Sequence, residues 1–331
     1  MLSTEEIVVK TAFTLGIVCG TFGNALVCLV VLSNKSMRST MNYLVVNLAL
    51  SDTILLLFFA PSFVFNDAFT HPAGQAGDLL CVFITGETFA WTAGYASATF
   101  LLAIAVERYY AVAKPHSYGA RFLRKRVKLM VAVCWTVALA WNSPGFWTKH
   151  YDERYGYCAM TWNYEYSFRV YAMLSFLFVS LAPSASMIIL YSKVVHALWF
   201  SKQSIRNHRT EERDRLQRKR ATKMVLSVSV IYTFCWIPQS TVFMISAFSP
   251  ELIQGNIAYP AAVAMVTINA GVNPLLYSFY SNQMRREIGK LLGCPWGERV
   301  GHVTRVMVEP NFYGSVEDRV GELSGKQTLE N

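Results

Sequence analysis

Charged residues are scarce in this sequence. Only 15% of the 331 residues are charged, whereas a soluble domain has about 25%. Cysteine pairs of the CxxC type are missing and no His/Cys cluster has zinc spacing, so we expect no structural metal. No basic region precedes the first apolar run, so we expect no cleaved signal peptide. With 53% hydrophobic residues and a mean hydropathy of +0.30, the composition favours a membrane protein.

Long apolar runs are the main feature that the sequence does contain. A helix that crosses a bilayer needs roughly 20 apolar residues. Seven runs meet this length, near 8–33, 43–65, 82–110, 128–147, 169–195, 222–247 and 258–281. Turn and charge signals separate them. We therefore predict an all-α membrane protein, a bundle of seven transmembrane helices over residues 8–281, with a short extracellular N-terminus at 1–7.

The basic residues lie mainly in alternate loops. Those after the first, third and fifth spans contain 17 lysines and arginines: Lys35 and Arg38; Lys114, Arg121, Arg124, Lys125, Arg126 and Lys128; and Lys202, Arg206, Arg209, Arg213, Arg215, Arg218, Lys219, Arg220 and Lys223. Because basic loops stay in the cytosol, the N-terminus should lie outside and the C-terminus inside. The net charge of +9 then reflects membrane orientation, and nucleic-acid binding is not expected.

The segment after the seventh span has a different character. Residues 282–293 place apolar side chains on one helical face and basic ones elsewhere, which predicts a short amphipathic helix on the inner leaflet. Cys294 follows as a candidate palmitoylation site. Residues 294–331 are polar and predict a disordered cytoplasmic tail. Serines and threonines in this tail are candidate sites for a receptor kinase and arrestin.

A few polar side chains lie within the apolar spans. Asp52 and Asn47 occur in the second span, Asn24 in the first, and Asn269 and Asn273 one helical turn apart in the seventh. Polar groups inside a membrane are costly and are candidates for function. They could serve as interhelical hydrogen-bonding groups, but their matching depths favour one hydrated cluster.

Each span also carries a short motif. These are GN at 23–24, NLALSD at 47–52, ERY at 107–109, Trp135, Pro183 with Tyr191, CWIP at 235–238 and NPLLY at 273–277. Together and in this order they resemble the rhodopsin-like (class A) G-protein-coupled receptors, over residues from about 10 to 293. Any one motif is weak evidence; the full series is specific.

The resemblance implies a role for particular residues. A buried sodium and water site would be formed by Asp52, Ser97, Asn269 and Asn273. Trp236 would be a rotamer switch under the ligand. Arg108 would be held by Glu107 at rest and released towards the G protein on activation. The full set implied for switching and coupling is Glu107, Arg108, Tyr109, Tyr191, Pro238, Pro274 and Tyr277.

Two departures from the family pattern affect these expectations. The resemblance implies a disulfide between Cys81 and Cys158, but Cys81 precedes Arg108 by two residues more than is usual. Arg218 stands where an acid would complete an ionic latch to Arg108, so elevated basal activity is a hypothesis. The alternative role for Arg108 is that of an interfacial arginine whose charged group extends to the aqueous boundary.

The ligand class follows partly by exclusion. Ala90 stands where amine receptors carry an aspartate, and residues 258–281 contain no lysine for retinal. The chain reads most like the neuropeptide receptors, in the RFamide, neuropeptide FF, orexin, galanin and allatostatin group. Residues 149–166 alternate aromatic and polar side chains around Cys158, which predicts a β-hairpin lid that could receive an extended peptide.

Glu87 is the acidic residue that we expect to contact the ligand. It precedes Arg108 by 21 residues, which places it about 31 Å away at the outer mouth. We hypothesise that it pairs with a basic or amidated peptide end; the alternative is a solvated acid at a helix start. The predicted ligand-binding residues are Glu87, Trp91, Tyr95, Trp236, Gln239 and Phe243.

Other functions remain open at this level. No nucleophile–base pair, carboxylate pair or phosphate loop predicts an enzyme. A non-peptide ligand such as a lipid or small molecule is the alternative within the receptor class. An ion or proton transporter is a remote alternative, disfavoured by the lack of internal repeats and broken helices. The expected partners are an extracellular peptide, a heterotrimeric G protein, arrestin, a receptor kinase and membrane lipid at the plasma membrane.

Overall fold

The computed structural model describes residues 4–66, 68, 70–122, 124–154, 156–200, 208–253 and 257–293. It comprises two units, residues 1–281 and residues 282–331. Seven helical segments within the described residues are long and apolar enough to cross a membrane. The predicted seven-helix bundle is therefore confirmed.

The helices follow the predicted spans with some differences at their ends. In chain order they are α1 (Thr4–Ser33), α2 (Thr40–Phe63), α3 (Gln75–Leu80), α4 (Thr88–Ala113), α5 (Pro115–Arg121), α6 (Arg124–Asn142), α7 (Gly145–Thr148), α8 (Glu165–Ser175), α9 (Ala182–Phe200), α10 (His208–Phe248) and α11 (Ala258–Tyr280). Short 3₁₀ turns cover Lys35–Met37 and Pro250–Leu252. Helix α1 begins before residue 8, in part because Glu5 and Glu6 in its first turn favour the positive end of the helix dipole.

The third and fifth spans contain π-helical turns. The turn Cys81–Thr85 directly follows α3 and leads to α4. The turn Phe176–Leu181 connects α8 to α9. A π turn holds more residues than an α turn. The π turn at Cys81–Thr85 and the interruption at Gly86 and Glu87 lie within the stretch between Cys81 and Arg108 that has two additional residues. The third span begins at Gln75, earlier than the predicted residue 82.

Two short strands follow α7. Strand β1 (Lys149–Asp152) pairs antiparallel with β2 (Tyr157–Met160), and Tyr151 lies opposite Cys158. This is the hairpin predicted from the alternation of aromatic and polar residues.

The bundle core is centred on α4, which packs against α2, α6 and α9, while α1 packs against α2 and α11. Contact between α1 and α11 is close at Gly20, where an added Cβ would lie 2.8 Å from Gly271 Cα. Nearby, Pro274 has no N–H to donate to the Ala270 carbonyl. Asn24 Nδ2 supplies the missing donor at 3.0 Å. One buried amide therefore joins the two helices where the proline weakens the helix.

The second unit has one described helix, α12 (Asn282–Leu291). It lies within the predicted range of 282–293 and ends two residues before it. Cys294 and the predicted tail at 294–331 lie outside the described residues.

Candidate functional site

A cavity of about 510 Å³ opens among the outer ends of the spans. Five of the six predicted ligand-binding residues line it: Glu87, Trp91, Tyr95, Gln239 and Phe243. Residues that we did not predict also line it, among them His71, Lys149, Tyr171 and Tyr259. His71 lies in a loop, Lys149 begins β1, Tyr171 lies within α8 and Tyr259 lies in the first turn of α11. None of them has a local sequence signal, so only the folded arrangement brings them together.

The β1–β2 hairpin covers the cavity and is held from two sides. The predicted disulfide joins Cys81 to Cys158 with the Cα atoms 5.6 Å apart. On the other strand, the Tyr151 backbone N–H donates to Asp78 Oδ1 at 2.8 Å. The hairpin is therefore tied to the start of the third span through both of its strands.

His71 lies beside this disulfide, and its ring together with the two sulfurs has metal-like spacing. Oxidised cysteines offer no thiolate, which is the form that binds metal. The His71 Nε2 atom instead lies 2.7 Å from Thr85 Oγ1, and the ring stacks on Tyr151 with centroids 4.5 Å apart. The cluster therefore supports the lid.

Glu87 has an unusual backbone conformation. Its φ of 64° makes it the only non-glycine residue with positive φ in the described part of the chain, and such strain is often found at functional sites. The carboxylate Oε2 accepts hydrogen bonds from Trp91 Nε1 at 2.9 Å and from the Tyr259 hydroxyl at 3.0 Å. Although Glu87 stands at the start of α4, its side chain makes no cap hydrogen bond there. The carboxylate instead bridges the third and seventh spans inside the cavity.

Lys149 brings a positive charge to the same cavity. It belongs to β1, and its aliphatic chain passes close to Gly86, where an added Cβ would lie 3.1 Å from Lys149 Cδ. Burial lowers the pKa of Lys149 to about 8, and the negative charge of Glu87 opposes part of that change. The cavity thus presents an acid and a base to a ligand, where the sequence had indicated only the acid.

Trp236 lies beneath the cavity and is not among the residues that line it. It is 1% exposed and packs against two lining residues, Trp91 and Tyr95, with ring centroids 6.3 and 6.4 Å apart. Gly94 makes room for it, since an added Cβ would lie 2.8 Å from Trp236 Cη2. The structure therefore places Trp236 one layer below the ligand cavity.

Below Trp236, the predicted polar cluster is assembled around Asp52. Ser97 Oγ donates to Asp52 Oδ1 at 2.8 Å, and Asn273 Nδ2 donates to Asp52 Oδ2 at 2.7 Å. The fourth member, Asn269, contacts Trp236 instead: its Oδ1 accepts a hydrogen bond from Trp236 Nε1 at 3.2 Å. This hydrogen bond connects the layer under the cavity with the polar cluster.

Two polar atoms of this cluster lack a partner. Asn273 Oδ1 and Asn269 Nδ2 are buried with no hydrogen-bond partner among the described residues. Buried polar atoms without partners commonly bind water or an ion. Carboxylate, hydroxyl and amide oxygens are also the ligands that hard cations prefer. The residues present therefore fit the sodium ion and waters that the resemblance implies.

At the cytosolic end, Glu107 binds Arg108 through both carboxylate oxygens. Arg108 Nη2 donates to Oε1 at 2.6 Å, and Arg108 Nε donates to Oε2. Tyr118 on α5 also donates to Glu107 Oε1, at 2.7 Å. Tyr118 was not predicted, because a tyrosine eleven residues after an acid gives no recognisable signal in the sequence.

The remaining predicted switch residues are placed as follows. Tyr191 and Tyr277 are each 2% exposed; the Tyr191 hydroxyl faces that of Ser229, and the Tyr277 hydroxyl has no hydrogen-bond partner in the described ranges. Tyr109 lies between two cations, with Lys114 Nζ and Lys193 Nζ both 5.9 Å from its ring centroid. Pro238 and Pro274 lie inside α10 and α11. Arg218 is exposed on α10.

Comparison with known proteins agrees with this arrangement. The model of the family "7 transmembrane receptor (rhodopsin family)" matches residues 23–277. The allatostatin-A receptor of Bombyx mori is 31% identical over 85% of this chain and 78% of its own length. The substance-K receptor of Mus musculus is 26% identical over 96% and 83%, and neuropeptide FF receptor 2 of Rattus norvegicus is 27% identical over 80% and 67%. This is a family of receptors and not of enzymes. The chain belongs to the rhodopsin family of seven-transmembrane, G-protein-coupled receptors.

Proposed function

We propose that this multi-pass receptor of the cell surface binds an extracellular neuropeptide, one end of which enters the cavity under the β1–β2 hairpin. The relatives named above are receptors for allatostatin-A, substance K and neuropeptide FF. A cavity of about 510 Å³ is large enough for a few side chains and not for a whole peptide. The rest of the peptide would lie along the hairpin and the loops.

The cavity offers chemically distinct contacts to such an end. Glu87 would pair with a basic or amidated group of the peptide, and Lys149 with a carbonyl or carboxylate. Trp91, Tyr95 and Phe243 would contact an aromatic or aliphatic side chain. Because Glu87 already accepts two hydrogen bonds, a basic ligand would have to join or displace the Tyr259 hydroxyl. That displacement would couple ligand binding to the seventh span.

The observation that carries the proposal is a continuous series of contacts from the cavity inward. Trp91 and Tyr95 touch both the cavity and Trp236, which donates to Asn269 near the Asp52 cluster. Further inward, Arg108 is paired with Glu107, and the buried hydroxyl of Tyr277 has no hydrogen-bond partner among the described residues. A ligand that favours another Trp236 rotamer would shift this set between two arrangements.

Sodium would act on the same equilibrium. Asp52, Ser97 and Asn273 would hold the ion through oxygen atoms, with Asn269 contributing through water. The bound cation would neutralise the buried carboxylate and favour the resting arrangement. Release of Arg108 from Glu107 would then open the cytosolic end to a heterotrimeric G protein.

Other partners belong to the proposal as well. Arrestin and a receptor kinase would act on the cytoplasmic tail, and membrane lipid would contact α12. A palmitoyl group would be attached to Cys294. These sites lie at or beyond the end of the described residues.

The test is a screen of amidated and free-acid neuropeptides on cells that express the receptor with a promiscuous G protein. We expect a peptide agonist whose potency falls at least tenfold in Glu87→Gln at equal surface expression. Glu5→Gln is the matched control, since Glu5 is an exposed acid in the first turn of α1 and does not line the cavity. An agonist that proves to be a lipid or small metabolite, or equal potency in Glu87→Gln and wild type, would contradict the proposal.

A further inference from the structure

The cytosolic half of α10 lies between two tyrosines. Ser227 Oγ is 3.0 Å from the hydroxyl of Tyr280, the last residue of α11. Two residues further along α10, the Ser229 hydroxyl faces that of Tyr191 on α9. Residues two apart on a helix point about 200° apart, so α10 makes a serine–tyrosine contact on each of two sides. The contact with Tyr280 joins α10 to the seventh span at its cytosolic end.

The direction of the Ser227–Tyr280 hydrogen bond follows from the number of protons available. Ser227 Oγ also lies 3.0 Å from the Lys223 carbonyl oxygen, which can only accept. A serine hydroxyl has one proton, and Ser227 donates it to Lys223. The Tyr280 hydroxyl is therefore the donor to Ser227 Oγ. Removal of the Tyr280 hydroxyl breaks the link between the two helices and leaves the bond within α10 intact.

Arg108 provides no comparable link to α10. In the part of the chain that the structure describes, its hydrogen bonds go to Glu107, its neighbour on α4. The side chain of Arg108 is only 11% exposed. The cytosolic end of the bundle must therefore widen before a partner protein can reach this residue.

Helix α10 is built so that its cytosolic half can tilt. It runs for 41 residues from His208 to Phe248, and Pro238 inside it has no N–H to donate to the Phe234 carbonyl. A proline inside a helix permits a bend at that point. Ser227 lies 11 residues before Pro238, which is about 16 Å along the helix axis. A tilt of about 5° away from α11 then moves Ser227 by roughly 1.4 Å, which is enough to break a 3.0 Å hydrogen bond.

A contact that so small a tilt breaks can distinguish two positions of α10. We propose that the hydrogen bond from Tyr280 to Ser227 holds the cytosolic half of α10 against α11 in the resting receptor, and that these two side chains are positioning residues for G-protein coupling. This role rests on the G-protein coupling of the proposed function and not on the nature of the ligand. The bond is lost when α10 tilts and uncovers Arg108.

The test uses the full-length receptor without ligand, in membranes from cells that also express a promiscuous G protein. We expect Tyr280→Phe and Ser227→Ala each to raise basal GTPγS binding per receptor about two- to tenfold, the range for loss of one neutral hydrogen bond. Because both variants remove the same bond, the double variant should give no more than the larger single effect. Ser227→Thr keeps a hydroxyl and should behave like the wild type.

Ser192→Ala and Tyr43→Phe are the matched controls. Ser192 is exposed and donates to the Ile188 carbonyl within α9, and Tyr43 is an exposed residue of α2. Both variants should keep the wild-type basal rate. The proposal is overturned by single variants that equal these controls or by a double variant that shows the product of the two single effects. A Ser227→Thr receptor as active as Ser227→Ala overturns it as well.

A second measurement needs neither ligand nor G protein. Leu216, an exposed residue of α10 on the cytosolic side of Ser227, is replaced by trifluoromethyl-phenylalanine, and the receptor in lipid nanodiscs is studied by fluorine NMR. Tyr280→Phe should raise the population of the minor signal about two- to tenfold, whereas Tyr43→Phe should leave it unchanged. Equal spectra in the two variants would overturn the proposal whatever the receptor couples to, so this failure is distinct from failure of the proposed function.

Discussion

The Tyr118 hydroxyl donates a 2.7 Å hydrogen bond to Oε1 of Glu107, the same oxygen that receives Arg108 Nη2. Burial, and after it the negative charge of Glu107, raises the pKa of Tyr118 to about 12. The hydroxyl therefore remains a donor at any physiological pH. Tyr118 is therefore a second donor to Glu107 beside Arg108, and we propose that it helps to stabilise this pair in the resting receptor.

Tyr118→Phe should raise ligand-independent signalling. Loss of one half-buried hydrogen bond of about 1 kcal/mol changes the ratio of two states about fivefold. Basal GTPγS binding in isolated membranes, normalised to receptor number, measures this change. Ser117→Ala is the control on the same short helix and should leave basal signalling as it is. A basal rate in Tyr118→Phe equal to that of Ser117→Ala would show that Tyr118 has no part in the resting state.

Asp52→Asn should abolish the effect of sodium on agonist binding. In the wild type, replacing sodium with a large organic cation should raise agonist affinity about fivefold or more, a typical size for coupling between two sites. The variant loses the only carboxylate in the cluster around Ser97 and Asn273. Competition binding with and without sodium measures the difference. An Asp52→Asn receptor that still responds to sodium like the wild type would place the ion elsewhere.

Lys149 should titrate near pH 8, well below an exposed lysine. Because its pKa is lower in the folded protein than in the unfolded one, the unfolded chain binds more protons between about pH 8 and 10.5. Folding stability from this group therefore rises with pH across that window. Glu87→Gln removes the charge that raises the pKa of Lys149 and should lower it further.

Competitive acylation followed by mass spectrometry reads this titration directly. Lys149 should become reactive at a lower pH in the folded receptor than in the denatured one. In Glu87→Gln the midpoint for Lys149 should move down in the folded receptor and stay in place in the denatured one. A Lys149 midpoint that is the same in the folded and the denatured receptor would mean that the amine is solvated and does not face the cavity.

Gly94→Ala should destabilise the receptor. The new Cβ would lie 2.8 Å from Trp236 Cη2 and 3.0 Å from Leu55 Cδ1, so the indole must move or the helices must separate. Overpacking of this kind costs about 1–3 kcal/mol, and we expect a lower thermal midpoint in detergent. Gly119→Ala is the control, because nothing lies within 4 Å of its added Cβ. A midpoint unchanged in Gly94→Ala would mean that Trp236 has free space on that side.

Much of the site was predictable from local patterns. Asp52 and Asn273 were predicted to cluster from their depth in separate apolar spans, since polar side chains in lipid must find one another. Ser97 was added by the family resemblance. Two hydrogen bonds join the three side chains. Lys149 and Tyr259 were not predictable in this way. Both join the Glu87 site from distant segments, and each is unremarkable within its own segment.

By itself, the sequence determined the number of spans, their direction across the membrane and the family. The number and direction of the spans follow from the lengths of apolar runs and the positions of basic loops, and the family follows from the short motif in each span. All of these features are local along the chain. Only the tertiary structure decided that Glu87 faces Tyr259 and Lys149, that Asn269 turns towards Trp236, and that Tyr118 meets Glu107. These contacts depend on helix rotation, on the π turn at Cys81–Thr85 and on the fold of the hairpin. A small change in any of them redirects a side chain without altering the hydropathy pattern.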